Sequence, residues 1–404
     1  MTVATTWPLT VNDFVLVLLI LLLGIFTFFG TLNLLFSWRF RPTSRIRPHP
    51  NPGRVAILVP VKDDPSIFNS LPCLRSIDYP DYEVLIVDDS KSQAFRDSLD
   101  ACMEGIVTVL RRGQASGRKA GALNFALEHL DSHPPRFVVI LDADHRPPRD
   151  FLAKAVTAIE ETGADCVSGY QKHDIGSHGF FGLFYRASQA ATMVNLKARY
   201  DLGFAPVFSG AAAIFDYAWL RKMGFDETSI TEDWDLSLRA HANGGFKIVV
   251  REDLWVSAAV PRDLRWYIRQ QLRWTEGTTR DFRKRFRNLR NSNLTMSAKV
   301  GLSYQGLLAI QNPSFLLFWI ILPAFFPHVL PLAITLVFMV FLGFAWGWPL
   351  SHACQFEGFT KRQVAAALAF GFIIPYVVAP FGTYAFLIGA IRSRSQWLVT
   401  RRRG

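Results

Sequence analysis

Residues 14–37 (FVLVLLILLLGIFTFFGTLNLLFS) carry no charged side chain. A helix needs about 20 apolar residues to cross the hydrocarbon of a bilayer, so this run commits one end of the chain to a membrane. A cleaved signal would want basic residues before the run and small residues after it, and neither is present. An anchor helix is therefore expected. Apolar runs return at 302–326, 329–349 and 364–391. Half of all residues are hydrophobic and 19% are charged, which leans toward the membrane class. The 404 residues leave room for one sizeable domain between the apolar ends.

A net charge of +11 raises the question of nucleic acid. The basic residues, however, gather beside the apolar runs: Arg39, Arg41, Arg45 and Arg47 after the first, Arg283, Lys284, Arg285, Arg287 and Arg290 before the second, and Arg401, Arg402 and Arg403 at the end. Basic residues flanking spans mark the cytoplasmic side and attract anionic lipid. A nucleic-acid binder needs a basic face with interleaved aromatics on a soluble module, which is absent from the sequence pattern. Membrane lipids, and no nucleic acid, are the expected partners. Cys73, Cys102, Cys166 and Cys354 have no ligand-like spacing and fit buried thiols in a reducing compartment.

Residues 40–53 (FRPTSRIRPHPNPG) read as a basic, Pro-rich linker. The apolar runs VAILVP (55–60), EVLIVDD (83–89), IVTVLRR (106–112) and FVVILDAD (137–144) then read as buried strands. Helical stretches at 67–77, 92–104 and 118–131 separate them. This alternation implies an α/β fold, a doubly wound and mainly parallel sheet that binds ligands beyond the carboxyl ends of its strands. Residues 262–300 mix aromatics with arginines, as amphipathic segments in a membrane interface do.

Five motifs carry chemistry, and each has a plain structural reading beside the chemical one. LDADH (141–145) puts Asp142 and Asp144 on one side of a strand end, where paired carboxylates bind a hard divalent cation that clamps a diphosphate; acidic turns after strands are also commonly just solvated. Asp88 and Asp89 in IVDDS (86–90) suit the N–H and O–H donors of a nucleotide, or cap a helix. The glycines and Lys119 of SGRKAGALNFAL (116–127) suit phosphate oxygens at a helix start, although Lys119 reads equally as a solvated lysine. Thr231-Glu232-Asp233 opens a helix whose dipole favours acids; Asp233 is also the candidate base for deprotonating a sugar hydroxyl. In QQLRW (270–274), Gln270, Arg273 and Trp274 share a helix face, able to hold a sugar ring and a pyrophosphate or simply to sit among headgroups.

In this order and spacing, IVDDS, the GRKAGALN turn, DADH, Ser209-Gly210, TED and QQLRW resemble the family 2 glycosyltransferases of GT-A fold over about residues 54–300. They are most similar to the membrane branch containing cellulose, mannan, chitin and hyaluronan synthases. DADH looks like the cellulose synthases, and QQLRW with the following TEG looks nearer to the mannan-synthase-like group. The resemblance implies a cytosolic GT-A domain and inverting hexosyl transfer with Mg²⁺ or Mn²⁺ as cofactor. The implied donor is a nucleotide sugar, a UDP-sugar ahead of a GDP-sugar. By matching positions, Asp64, Asp88, Lys119 and Asp142 fall to the nucleotide, and Asp142, Asp144 and His145 to the metal. Asp233 falls to the general base; Glu232, Gln270, Arg273 and Trp274 fall to the acceptor side. Two departures stand out: Pro60-Val61-Lys62-Asp63-Asp64 replaces a usual Pro-x-x-x-Glu, and PVFSGAAAIF (206–215) has alanines where cellulose synthases usually carry cysteine.

Two products fit. One is a growing β-linked polysaccharide made processively; the other is a glycolipid on a ceramide, diacylglycerol or polyprenyl-phosphate acceptor. Trp397-Leu398-Val399-Thr400-Arg401-Arg402 resembles the FxVTxK gating loop of cellulose synthases, which would bring Thr400 to the nucleotide; its other reading is a lipid-bound basic tail. The expected division is an N-terminal transmembrane helix at 1–39, a linker at 40–53 and a GT-A domain at 54–261. Interfacial helices follow at 262–301, a transmembrane region at 302–392 and a cytosolic tail at 393–404. The expected location is the inner or plasma membrane, multi-pass. A cytosolic arginine-rich tail requires an even number of crossings after the domain, with Pro375 and Pro380 marking a broken or re-entrant segment.

Overall fold

The computed structural model describes residues 11–43, 53–176, 179–325 and 332–392. The expected gating segment, with Trp397 and Thr400, lies outside them.

Helix α1 (Val11–Arg39) leads into a sheet of strands β1 (Val55–Val61), β2 (Tyr82–Asp88), β3 (Val107–Leu110), β4 (Phe137–Ile140), β5 (Cys166–His173), β6 (Ala213–Asp216) and β7 (Ile248–Ala258). Their order across the sheet is β3-β2-β1-β4-β6-β5-β7. β1 pairs in parallel with β2 and β4, β2 with β3, and β5 with β7; β6 runs antiparallel to β4 and β5. The four runs read from sequence are the first four strands, and they are apolar throughout because both faces of the sheet are covered.

Alternate residues show how. Ile57, Val59, Ile86 and Val139 face α2 (Ser66–Arg75), α3 (Gln93–Asp100) and α5 (Phe151–Thr162). Leu58, Leu85, Val87 and Ile140 face α4 (Arg118–His129), α7 (Tyr217–Met223) and α8 (Glu232–Asn243). A third apolar layer joins α6 (Gly179–Asp201) and α8 to α9 (Leu264–Asn291), α10 (Met296–Leu307), α1 and α13 (Leu332–Phe356). Here Phe36 and Tyr304 meet at 5.4 Å and Phe40 and Phe356 at 5.5 Å, so the helices flanking the sheet domain share its core.

Among the described residues, four stretches are long and apolar enough to cross a membrane: Asp13–Arg39, Met296–Ala324, Leu336–Phe356 and Lys361–Ile391. Three of them follow the sheet, where an even number was expected. The expected break at Pro375 and Pro380 is not there: α14 (Lys361–Ile391) is one continuous helix containing both. The irregular segment is the earlier one. After α10 come a 3₁₀ turn at 308–310, α11 (Gln311–Leu316), a π-helical stretch at 317–321 and α12 (Leu322–Phe325). Proline tolerance in α14 has a physical basis, since packing against neighbouring helices and local backbone adjustment support a helix that lacks single backbone bonds.

Candidate active site

The sheet's parallel half places three loops at one edge: the ends of β1 (Asp63, Asp64), β2 (Asp88, Asp89) and β4 (Asp142, Asp144). Antiparallel β6 enters the sheet at that same edge, with Ala213 opposite Ile140. Ser209 and Gly210, just before β6, are thereby delivered beside the β4 acids.

At the centre, the Lys119 ammonium donates to Asp142 Oδ1 at 2.7 Å and to the Gly210 carbonyl at 2.9 Å, and lies 3.3 Å from Glu232. Burial alone would lower its pKa; the carboxylates of Asp142, Glu232 and Asp233 outweigh that and raise it. Lys119 is thus no solvated surface lysine. It occupies the focus of the acids. Its turn is shaped by Gly117 and Arg118, both at positive φ, and by Arg112, which donates to the Ser116 carbonyl at 2.6 Å and pairs with Asp89.

Asp142, Asp144 and His145 bring one ligand atom each within 4.8 Å of one another. Asp144 is buried and accepts from the Ala259 amide at 2.8 Å, which fixes its carboxylate. His145 is fully buried; its Nδ1 takes the Asp142 amide at 3.2 Å, while Nε2 has no hydrogen-bond partner. Burial pushes the imidazole down to about 4, so it stays neutral. The two carboxylates offer the hard oxygen donors that suit a divalent cation, and the neutral imidazole, its Nδ1 lone pair taken by the Asp142 amide, stands beside them.

Asp233 stands half-buried opposite them. Burial, and then the neighbouring charge of Glu232, push its pKa up to about 7. Gly210 has φ +91°, and a Cβ there would come to 3.0 Å from Asp233 Oδ2, so the loop passes the carboxylate closely only because it carries no side chain. Helix α9 holds the other side. A Cβ on Gly277 would lie 2.6 Å from Thr231 Cγ2. Buried Asp281 accepts from the Thr231 hydroxyl at 2.7 Å and from Ser229, fixing the turn that presents Glu232 and Asp233.

The signature face of α9 is less open than its sequence suggests. Gln270 is buried and its Oε1 accepts from Tyr185 on α6 at 3.1 Å. Arg273 and Trp274 are half-buried one turn along, and Gly277 follows against Thr231. At the β1 and β2 ends, Asp88 accepts from the Ser90 amide at 2.9 Å and from Arg111 Nε at 3.0 Å. Asp64 accepts from the Ser66 amide at the start of α2, at 3.0 Å. It is Asp63, at φ 49°, that ties the two strand ends together, accepting from the Lys91 and Ser92 amides at 3.1 and 3.0 Å while its own amide donates to Ser90 at 2.7 Å. Sequence reading gave no role to Asp63, Gly277 and Asp281, and took Gly210 only as part of the Ser209-Gly210 motif. The only signals were a third acid beside the Pro60 strand end and a Gly and an Asp at i and i+4 on an otherwise polar helix.

A scan of protein families places the model described as Glycosyl transferase family group 2 on residues 137–347. A probable glucomannan 4-beta-mannosyltransferase 14 of Arabidopsis thaliana is 30% identical over 253 residues, covering 56% of this chain and 45% of the relative. Glucomannan 4-beta-mannosyltransferase 1 of Oryza sativa subsp. japonica is 23% identical over 91% of this chain and 74% of its own. The chain spans about half the length of the first curated relatives it matches. Among solved structures, a mannosyltransferase from Pyrobaculum calidifontis in complex with GDP-Man and Mn²⁺ superposes with TM-score 0.53 at 22% identity, over 91% of this chain and 95% of that one. That likeness is one of fold.

Proposed function

Because the chain belongs to glycosyl transferase family group 2, we propose that it transfers a hexose, with inversion, from a nucleotide sugar to a growing β-linked polysaccharide. The observation that carries this reading is the ring of Asp142, Asp144, His145, Lys119, Glu232 and Asp233 at the carboxyl edge of the parallel strands. The names of the curated relatives turn the donor preference toward mannose, so GDP-mannose is placed ahead of the UDP-sugars expected from sequence.

The roles follow from position. The nucleotide lies against the β1 and β2 ends, where Asp88 and Asp64 offer acceptor oxygens and Asp63 keeps the two loops in register. Asp142 and Asp144, with His145 beside them, would hold a divalent cation, and such a cation would supply positive charge to the diphosphate leaving group. Lys119 turns from Asp142 toward the phosphates as they arrive. Asp233 takes the proton of the acceptor hydroxyl, whose oxygen attacks the anomeric carbon from the face opposite the leaving diphosphate; one base and one displacement give inversion. Glu232, Arg273 and Trp274 line the acceptor side, with Gln270 buried behind them against Tyr185. The sheet domain lies on the cytosolic side of the membrane, where nucleotide sugars are found.

The test is the purified full chain with Mn²⁺ or Mg²⁺ and a panel of GDP- and UDP-hexoses, with products sized. A ladder or polymer is expected from GDP-mannose. One discrete glycolipid would move the acceptor to a lipid, and no transfer from any donor would overturn the proposal.

A further inference from the structure

Helix α14 has 31 residues, about 46 Å at 1.5 Å per residue, against about 30 Å of hydrocarbon. Standing upright, it would carry its two ends to opposite sides of the bilayer. Its contacts exclude that. It begins just after Glu357, which accepts from Tyr170 of β5 and Arg186 of α6, both at 2.6 Å. Ala367 packs with Ala187, and Ile374 packs with Tyr185 and Tyr267. At its far end a Cβ on Gly389 would sit 2.6 Å from the Glu276 carbonyl, and Arg283 donates to the Ala390 and Arg392 carbonyls at 2.6 and 2.9 Å. First turns, middle and last turn all touch α6 or α9. From Tyr267 to Arg283 and from Ile374 to Arg392 the two helices advance side by side.

The flanking spans touch the domain at one end only. Phe29 and Phe36 of α1 and Ala353 of α13 join its apolar layer, but Val15, Leu19, Leu22 and Phe26 of α1 pack against Phe318, Leu322 and Phe338, with no residue of the sheet domain among them.

The geometry points to α14 lying along the membrane-facing side of the catalytic domain, embedded in a single leaflet of the bilayer rather than crossing it. Its outward face, Phe372, Ile373, Phe381, Tyr384, Leu387 and Ile391, is exposed and apolar, and takes up the acyl chains and glycerol level of that leaflet. Lys361 and Arg362 at one end and Arg392 at the other reach the same layer of headgroups, which is the arrangement the positive-inside trend favours. Two crossings then follow the domain, through Met296–Ala324 and Leu336–Phe356, and residue 392 returns to the catalytic side. The inner face of α14 backs the Tyr185 ring whose hydroxyl holds Gln270, so the leaflet is one helix away from the QQLRW motif.

The test uses the full chain in sealed vesicles with Cys73 and Cys102 replaced by serine, and Lys361→Cys, Arg392→Cys or, as a catalytic-domain reference, Ser98→Cys added singly. A membrane-impermeant maleimide should label all three from the same side. Labelling of Arg392→Cys from the side opposite Ser98→Cys would overturn the inference. A second readout does not depend on the helix ends: nitroxides attached at Phe372→Cys and Tyr384→Cys should lie at similar depth by collisional quenching. A crossing helix separates them by about 18 Å along the bilayer normal, and that result would overturn it equally.

Discussion

Asp233 is placed where its charge is disfavoured and its basicity is therefore high. A general base at this position works only as the carboxylate, so on the proposed role turnover should fall as pH drops below about 7 rather than in the ordinary carboxylate range. Glu232 supplies part of that elevation, so Glu232→Gln should move the acid limb of the kcat profile to lower pH; an unmoved limb would remove Glu232 from this role. Asp233→Asn should retain donor binding and lose roughly 10²–10⁴-fold in turnover, the usual size of a general-base contribution, and calorimetric donor titration beside rate assays checks both halves. Gly210 makes a sharper case. A methyl group there meets both a left-handed backbone and a carboxylate oxygen 3.0 Å away, so Gly210→Ala should depress turnover strongly, while alanine at exposed Gly105, which shares the left-handed backbone (φ 64°) but has nothing within 4 Å, should cost some stability and leave turnover unchanged. The sequence marks Gly210 only as half of the Ser209-Gly210 pair; its close approach to Asp233 arises from where antiparallel β6 starts, and strand direction is set by tertiary pairing rather than by local pattern.

At the level of elements, the first four strands could be read because burial on both faces writes continuous apolar runs. β6 could not: four residues, AIFD, between two helices carry too little period to tell strand from coil. α9 was legible as amphipathic, but the sequence did not show that part of its motif face packs, with Gln270 inside and Gly277 pressed on Thr231. Its Asp281 anchors the catalytic turn through two hydroxyl hydrogen bonds. Asp281→Ala leaves those hydroxyls unpaired in a buried place, a cost of about 1–3 kcal/mol. The expected result is a lower unfolding temperature together with a fall in kcat larger than the change in donor KM. A loss of stability with kcat intact would make Asp281 structural only.

The whole molecule is less divisible than its sequence suggests. Glu357, at the end of α13, is almost wholly buried between Tyr170 and Arg186. Removing one partner of such a pair costs about 3 kcal/mol or more, so Glu357→Ala should lower the unfolding temperature of the detergent-solubilised full chain, while Asp150→Ala, on the more exposed Lys154–Asp150 pair, should change it little. The apolar layer beneath the sheet domain is built jointly from α1, α6, α8, α9, α10 and α13, and residues 54–291 produced alone would expose Met193, Val194 and Trp234 and should aggregate.

That shared layer also sets an order of events during synthesis. Asn33 bonds to the Ala345 carbonyl and Ser37 to His352, partners 312 and 315 residues apart along the chain. At about 5–20 residues per second on the ribosome, α1 is made roughly 15–60 s before the helix it packs against. Through that interval the sheet domain is threaded out and left with an uncovered apolar underside. The last helices to be translated close it, so a nascent chain stalled before α13 is a natural client for chaperones that wait at the membrane.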